Sequence, residues 1–386
     1  MSETATLSET PVAYVRKTPA QALPPPASLV GVLGWMRQNL FSSPANSVLT
    51  IVTALFAAWA IPGFISFLLT DAVWTGADRE ACVAKNGVLP GACWAFVSDR
   101  LSFFIYGFYP IEQRWRVDLF FVLGAIGVAW MLWQKAPRRD IGFFYFILVL
   151  PIVSFILLRG WDLIGLTPVD TARWGGLMVT LVVAGVGIVA SLPLGILLAL
   201  GRRSKLPVVK FLSVMFIEFV RGVPLITVLF MANTMLPLFL PDNITVDKLL
   251  RALVGIGLFA SAYMAEVVRA GLQALPKGQY EGAMAMGLGY WQMMRLIILP
   301  QALKITIPNI VNTYIGLFKD TSLLLIVGIF DFLKAIETAR VDPQWAAPTT
   351  SATGYAFAAI VYFIFCYGMA LYARSMERRL SVGDKR

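Results

Sequence analysis

The sequence predicts an all-α polytopic membrane protein with about eight transmembrane helices. Three observations predict it. Of its 386 residues, 58% are hydrophobic and only 14% charged, a balance foreign to an ordinary soluble domain. Several apolar runs exceed the ~18 residues that mark a spanning helix. The basic residues behind the formal charge of +10 fall in short blocks between those runs. That is the positive-inside pattern rather than a phosphate-binding face. Membrane lipid is therefore an expected neighbour and nucleic acid is not.

In chain order, residues 1–46 read as a cytoplasmic tail, rich in Pro up to Pro24-Pro25-Pro26, then an interfacial segment at 29–39. No early basic cluster, apolar core and cleavage site mark a secretory signal. The first span covers 47–69, with Pro62 as a kink. The loop 70–117 follows, and its aromatics (Trp74, Trp94, Phe103, Tyr106) predict a compact or membrane-hugging outer lobe. Cys82 and Cys93 flank part of it and can be bridged where the loop faces an oxidising compartment. Spans two and three cover 119–133 and 141–158, with the basic block 135–139 between them inside. Residues 47–170 thus form a three-span N-terminal extension, ending at a composition shift near 171–175.

The second half holds span four at 175–200 and an oblique helix at 207–219. Span five starts from Arg221-Gly222-Val223-Pro224 and runs to 240; spans six to eight cover 249–272, 305–333 and 355–372. The basic blocks at 135–139, 202–205 and 374–386 then share one side, so both termini are expected in the cytoplasm, the last as a tail at 376–386. Asn243-Ile244-Thr245 reads as a loop.

Chemistry is sparse. The chain has no histidine, which removes imidazole catalysis and the commonest metal ligand. Its three cysteines cannot build a four-thiolate zinc site, and Cys366 reads as packing. No Walker A pattern is present, so no ATP site and no cofactor are expected in this chain. With no nucleophile–base constellation, no catalytic residue is expected and the chain is not read as an enzyme.

The most informative stretch is 275–304, a polar interruption between two apolar runs. Pro276 reads as a helix start, and Glu281 lies early enough to favour the positive end of a helix dipole. Gly287 and Gly289 offer a stop and a turn, after which 291–298 resumes a helix that Pro300 is expected to break. The small cluster Glu281-Gly282-Ala283 is followed after three residues by Gly287, and after nine more by Ile297, Leu299 and Pro300. This spacing resembles the EAA loop of ABC importer permeases. Gly282 stands where that family usually has alanine, keeping the small size at a helix cost of roughly 1 kcal/mol.

Three further stretches are similar to signatures of the polar-amino-acid subfamily of those permeases. They are Glu218-Phe219-Val220-Arg221-Gly222-Val223-Pro224, Tyr263-Met264-Ala265-Glu266-Val267-Val268-Arg269-Ala270-Gly271, and Leu317-Phe318-Lys319-Asp320-Thr321-Ser322-Leu323. With the loop they cover about 175–375, and the preceding three spans resemble the long permease subunit of general L-amino-acid importers. The resemblance implies an ABC type I transmembrane domain at 175–375, formed by the last five spans. It also implies a bacterial inner-membrane location. Glu281, Gly282, Ala283, Gly287, Leu299 and Pro300 would couple it to a separate cytoplasmic ATPase dimer, which binds the ATP. A second homologous permease and a periplasmic amino-acid-binding protein complete the implied assembly.

Lys319 and Asp320 lie about fifteen residues into the expected span seven, roughly 20 Å deep. Neighbours in sequence do not face each other on a helix, so each needs another partner, or the helix breaks there. With Asn312 and Ser322 they are candidates for a substrate path; a structural ion pair or capped break is the competing reading. Glu266 and Arg269, three apart, share a face and are expected to pair structurally with each other or with Arg221 and Glu218. A self-sufficient secondary transporter or channel is the alternative to an importer subunit; it predicts paired repeats with broken helices and no docking loop.

Overall fold

The computed structural model describes residues 31–84, 89–133, 138–241 and 244–383, the side chains of 139–140 and 379–383 aside. The tail to residue 30, most of the basic block 135–139, Asn243 of the sequon and the last three residues lie outside the described residues. The chain divides into two compact units at Ser66/Phe67.

The first unit holds α1 (Gly31–Asn39) and α2 (Pro44–Ile65). Ser43 caps α2 by accepting the Asn46 N–H at 3.2 Å, and Pro44 takes the first turn, where its missing donor costs nothing. Pro62 stands inside the helix, and no α2 side chain is buried. A helix apolar on every face suits hydrocarbon.

The second unit begins with α3 (Trp94–Tyr106), α4 (Trp115–Leu132), and α5 (Arg139–Phe144), which a π-helical turn joins to α6 (Leu150–Arg159). Then come α7 (Gly176–Arg202), α8 (Pro207–Gly222), α9 (Leu225–Phe230) and α10 (Lys248–Ala274). The last elements are α11 (Lys277–Ala285), α12 (Tyr290–Met293), α13 (Leu299–Asp320), α14 (Phe332–Ala339) and α15 (Thr350–Gly383). Among the described residues seven helical runs can cross a membrane; α8 and the α9 segment, bent by 105°, make an eighth if they cross as one. The bend has a local cause. Pro224 disfavours helical geometry in the residue before it, and Val223 is extended at φ −112°, ψ 137°.

Two apolar clusters fill the bundle. One joins Tyr109, Leu158, Trp174, Met178, Leu229, Ile256 and Leu324. The other joins Leu200, Ile217, Met264, Leu272, Ala283, Ile298 and Ala302. The first takes residues from both sides of the composition shift at 171–175, so that shift is not a structural boundary.

The long loop is a compact lobe. Cys82 and Cys93 are joined by a disulfide, with Cα atoms 5.8 Å apart. It shares a core with α14, whose Phe332, Ala335, Ile336 and Ala339 are buried at helical spacing against Phe96, Phe104 and Trp345. Polar contacts seal the joint. The Trp345 indole N–H donates to Asp99 at 2.8 Å, Arg100 pairs with Asp342 at 2.9 Å, and the Cys93 N–H donates to Thr353 at 2.8 Å.

Three boundaries differ from expectation. Pro300 does not break the chain: helical backbone runs from Tyr290 to Leu325, with a π-helical turn at Met294–Ile298 directly before it. Wider i→i+5 bonding there makes room for a ring that cannot donate. The same span ends at Leu325, not at 333. Gly328 turns at φ +70°, and Asp331 starts α14 by accepting the Leu333 and Lys334 N–H groups at 3.1 and 3.0 Å. The continuous apolar run across this break concealed it. Finally α15 extends through Gly383, so 376–383 is helix rather than tail.

Candidate coupling loop and charge network

The loop 275–304 leaves α10 through two extended residues, Leu275 (φ −76°, ψ 135°) and Pro276 (φ −58°, ψ 142°). α11 follows and ends at a turn where Gly287 takes φ +73°, a left-handed conformation that favours glycine. The Gln292 side chain then accepts the Gly289 N–H at 3.2 Å and starts α12. Of the sequence-predicted coupling residues, only Ala283 is buried, packed with Leu272, Met293 and Ile298. It anchors α11 while Glu281 and Gly282 face outward. Glu281 makes no ion pair among the described residues. A Cβ built on Gly282 would meet nothing within 4 Å, so packing inside this chain does not demand glycine there. Leu299 and Pro300 open α13, on the far side of the π-helical turn.

The exposed face is apolar as well as acidic. Met284 is 57%, Met286 80% and Trp291 69% exposed. Methionine is adaptable packing material, and an apolar face beside a free carboxylate suits a protein partner. A cleft of about 390 Å³ lies alongside, lined by residues including Arg203, Lys277, Tyr280, Glu281 and Met284.

Next to the loop the fold assembles a charge network that links three helices. Glu266 on α10 accepts from Arg202 at 2.9 Å and from Arg269 at 2.7 Å, with Arg221 at 3.6 Å. Arg202 also bonds Glu218 of α8 at 2.7 Å. Glu266 thus pairs directly with Arg269 and Arg221 as expected, whereas Glu218 joins them through a fifth residue, Arg202. In the sequence Arg202 belongs to the basic block 202–205 that marks topology. Nothing in its local sequence distinguishes it from Arg203; the crossing of α7, α8 and α10 brings it to the carboxylates. Arg203 turns the other way. Its Nη1 donates to the Leu272 carbonyl at 3.3 Å and the Tyr280 hydroxyl at 3.1 Å.

The substrate-path candidates lie along α13 and the turn that follows it. Lys319 and Asn312 are exposed on this chain, whereas Asp320 is half-buried at the end of α13. Neither Lys319 nor Asp320 has an ion pair among the described residues. The Ser322 hydroxyl donates to the Lys319 carbonyl at 2.8 Å, inside the 3₁₀ turn Thr321–Leu325. Helix and 3₁₀ turn meet here, so the two charges sit at the end of their span rather than near its middle. At the same end Asp331 is fully buried. Loss of hydration pushes its carboxyl from the ordinary 3.8 up to about 7, against the pull of the backbone N–H groups it caps.

Residues 191–382 match the family described as "Binding-protein-dependent transport system inner membrane component". The chain is 50% identical over 350 residues to the inner membrane amino-acid ABC transporter permease protein YhdY of Escherichia coli (strain K12), a match spanning 90% of this chain and 93% of that protein. It is 39% identical over 430 residues to the glutamate/glutamine/aspartate/asparagine transport system permease protein BztC of Rhodobacter capsulatus, across 95% of this chain and 98% of that one. The probable glutamine ABC transporter permease protein GlnP of Bacillus subtilis is 32% identical over 209 residues, which cover 92% of GlnP but only 53% of this chain.

Proposed function

The chain belongs to the family of binding-protein-dependent transport system inner membrane components, and we propose that it is the permease subunit of an ATP-driven importer of polar or varied L-amino acids. The observation that carries the substrate class is the near full-length match to an amino-acid permease. The chain performs no catalysis of its own in this reading. ATP is bound and hydrolysed by a cytoplasmic ATPase dimer, substrate is delivered by a periplasmic binding protein, and a second homologous permease completes the path.

Physical arguments support the assignment of sides. Arg202 and Arg203 end α7 at the loop, where basic residues favour the cytoplasm. The disulfide lobe packs at the opposite end of α7, near Gly176, and disulfides persist in oxidising compartments. On this orientation Glu281, Gly282, Ala283, Gly287, Leu299 and Pro300 form or frame the coupling surface. A push on α11 is passed to α10 before it and α13 behind it, the two helices the loop joins. Lys319, Asp320, Ser322 and Asn312 are the proposed path residues; Lys319 and Asn312 are exposed on this chain, where a second permease would cover them.

The test is radiolabelled amino-acid uptake in cells carrying Glu281→Lys, with membrane abundance measured in parallel. A cysteine at the exposed Ala285 reports contact by crosslinking to the co-expressed ATPase. Lost uptake and lost crosslinking at normal abundance are expected. Unchanged uptake would make the loop scaffolding and favour a self-powered transporter.

A further inference from the structure

The importer reading requires that movement of α11 reach the membrane bundle, yet α11 is covalently joined to it by weak links. Before it stand the extended residues Leu275 and Pro276; after it stands the turn at Gly287. Leu275 and the Gly287 turn can still rotate, so the covalent links by themselves do not fix how a push on α11 is passed on. Ala283 packs α11 against the bundle at one point, and polar contacts add a second.

Tertiary contacts supply a strap. The Tyr280 hydroxyl donates to the Leu272 carbonyl at 2.9 Å. Arg203 donates to both of these groups, and its guanidinium lies 5.5 Å from the centre of the Tyr280 ring. Leu272 lies in the last turn of α10, where carbonyls lack helical partners. One such carbonyl is thereby tied both to α11 and to the end of α7. The preceding residue, Arg202, binds Glu218 and Glu266, so the end of α7 holds the coupling helix with one arginine and the broken α8–α9 segment with the other.

We propose that Arg203 and Tyr280 are positioning residues for energy coupling, fixing α11 to the ends of α7 and α10 so that its displacement reaches the bundle. The proposal rests on the importer reading. Its test is the intact complex with its ATPase and binding protein in proteoliposomes, measuring amino acid carried per ATP hydrolysed. Tyr280→Phe keeps the ring and removes the hydroxyl; Arg203→Ala removes the strap; Arg203→Lys keeps the charge.

The ratio should fall about fivefold in Tyr280→Phe and about tenfold in Arg203→Ala, with Arg203→Lys between wild type and alanine. The double variant should be no worse than Arg203→Ala, because both changes cut one connection. The ATPase should co-purify in wild-type amount throughout. Unchanged ratios overturn the proposal, and so does a loss matched by lost ATPase, which would mean docking rather than transmission. Amide exchange across 277–285 should be faster in Arg203→Ala with α10 unaffected; unchanged exchange overturns the strap. That readout needs no substrate, so a wild-type complex that carries no amino acid would sink the importer reading and leave the strap decidable.

Discussion

Replacing Glu266 with Gln keeps the shape of the side chain and removes the charge at the centre of the network. Its carboxylate is 15% exposed, and the three arginines around it are 25–35% exposed. A fully buried ion pair broken on one side costs about 3–5 kcal/mol, and a charge-assisted hydrogen bond about 1.5–3. Solvent reaches part of this network, which reduces the figure by roughly half, to about 2 kcal/mol. Glu218 is the internal control. It is 54% exposed and, among the described residues, bonds only Arg202, so Glu218→Gln should cost about 0.5 kcal/mol. Thermal unfolding of the intact protein in lipid-containing micelles separates the two. Added salt should recover part of the Glu266→Gln loss by screening repulsion among Arg202, Arg221 and Arg269. Equal losses for the two variants, or a neutral Glu266→Gln, would refute the central place given to this carboxylate.

Asp331 makes stability depend on pH with a definite sign. Its folded value is raised from 3.8 to about 7, so the folded chain keeps a proton that the unfolded chain has released. The associated stability is fully present below pH 3.8 and is lost as pH rises through about 7, a change on the order of 4 kcal/mol. Asp331→Asn keeps an acceptor for the α14 cap and should flatten the unfolding midpoint across that window. The Cys82–Cys93 bridge closes a segment of sequence separation 11, which on chain-entropy grounds stabilises the lobe by about 3 kcal/mol. Reduction, or Cys82→Ser with Cys93→Ser, should therefore speed amide exchange in α3 and α14 while leaving α10 unchanged.

What the sequence determined by itself was what local physics controls. Apolar length and basic blocks marked the spans, because a helix in hydrocarbon needs about 20 apolar residues whatever it packs against. The turn in the 275–304 loop was legible for the same reason: Gly287 takes a left-handed conformation, and glycine does so without steric cost. The register from Glu281 to Pro300 was equally visible, being a matter of spacing alone.

The fold decided what depends on distant chain segments meeting. Pro300 looked like a break, but the π-helical turn before it carries the helix through. The break after Leu325 looked like a span because its residues are apolar for a different reason: Val327 and Ile329 pack in the bundle, and Phe330 and Phe332 against the disulfide lobe. Arg202 and Arg203 are neighbours in sequence and opposites in role, one drawn to Glu218 and Glu266, the other to Leu272 and Tyr280. No local pattern separates them. A side chain's partner is set by where helices cross, and that crossing is a property of the folded chain as a whole.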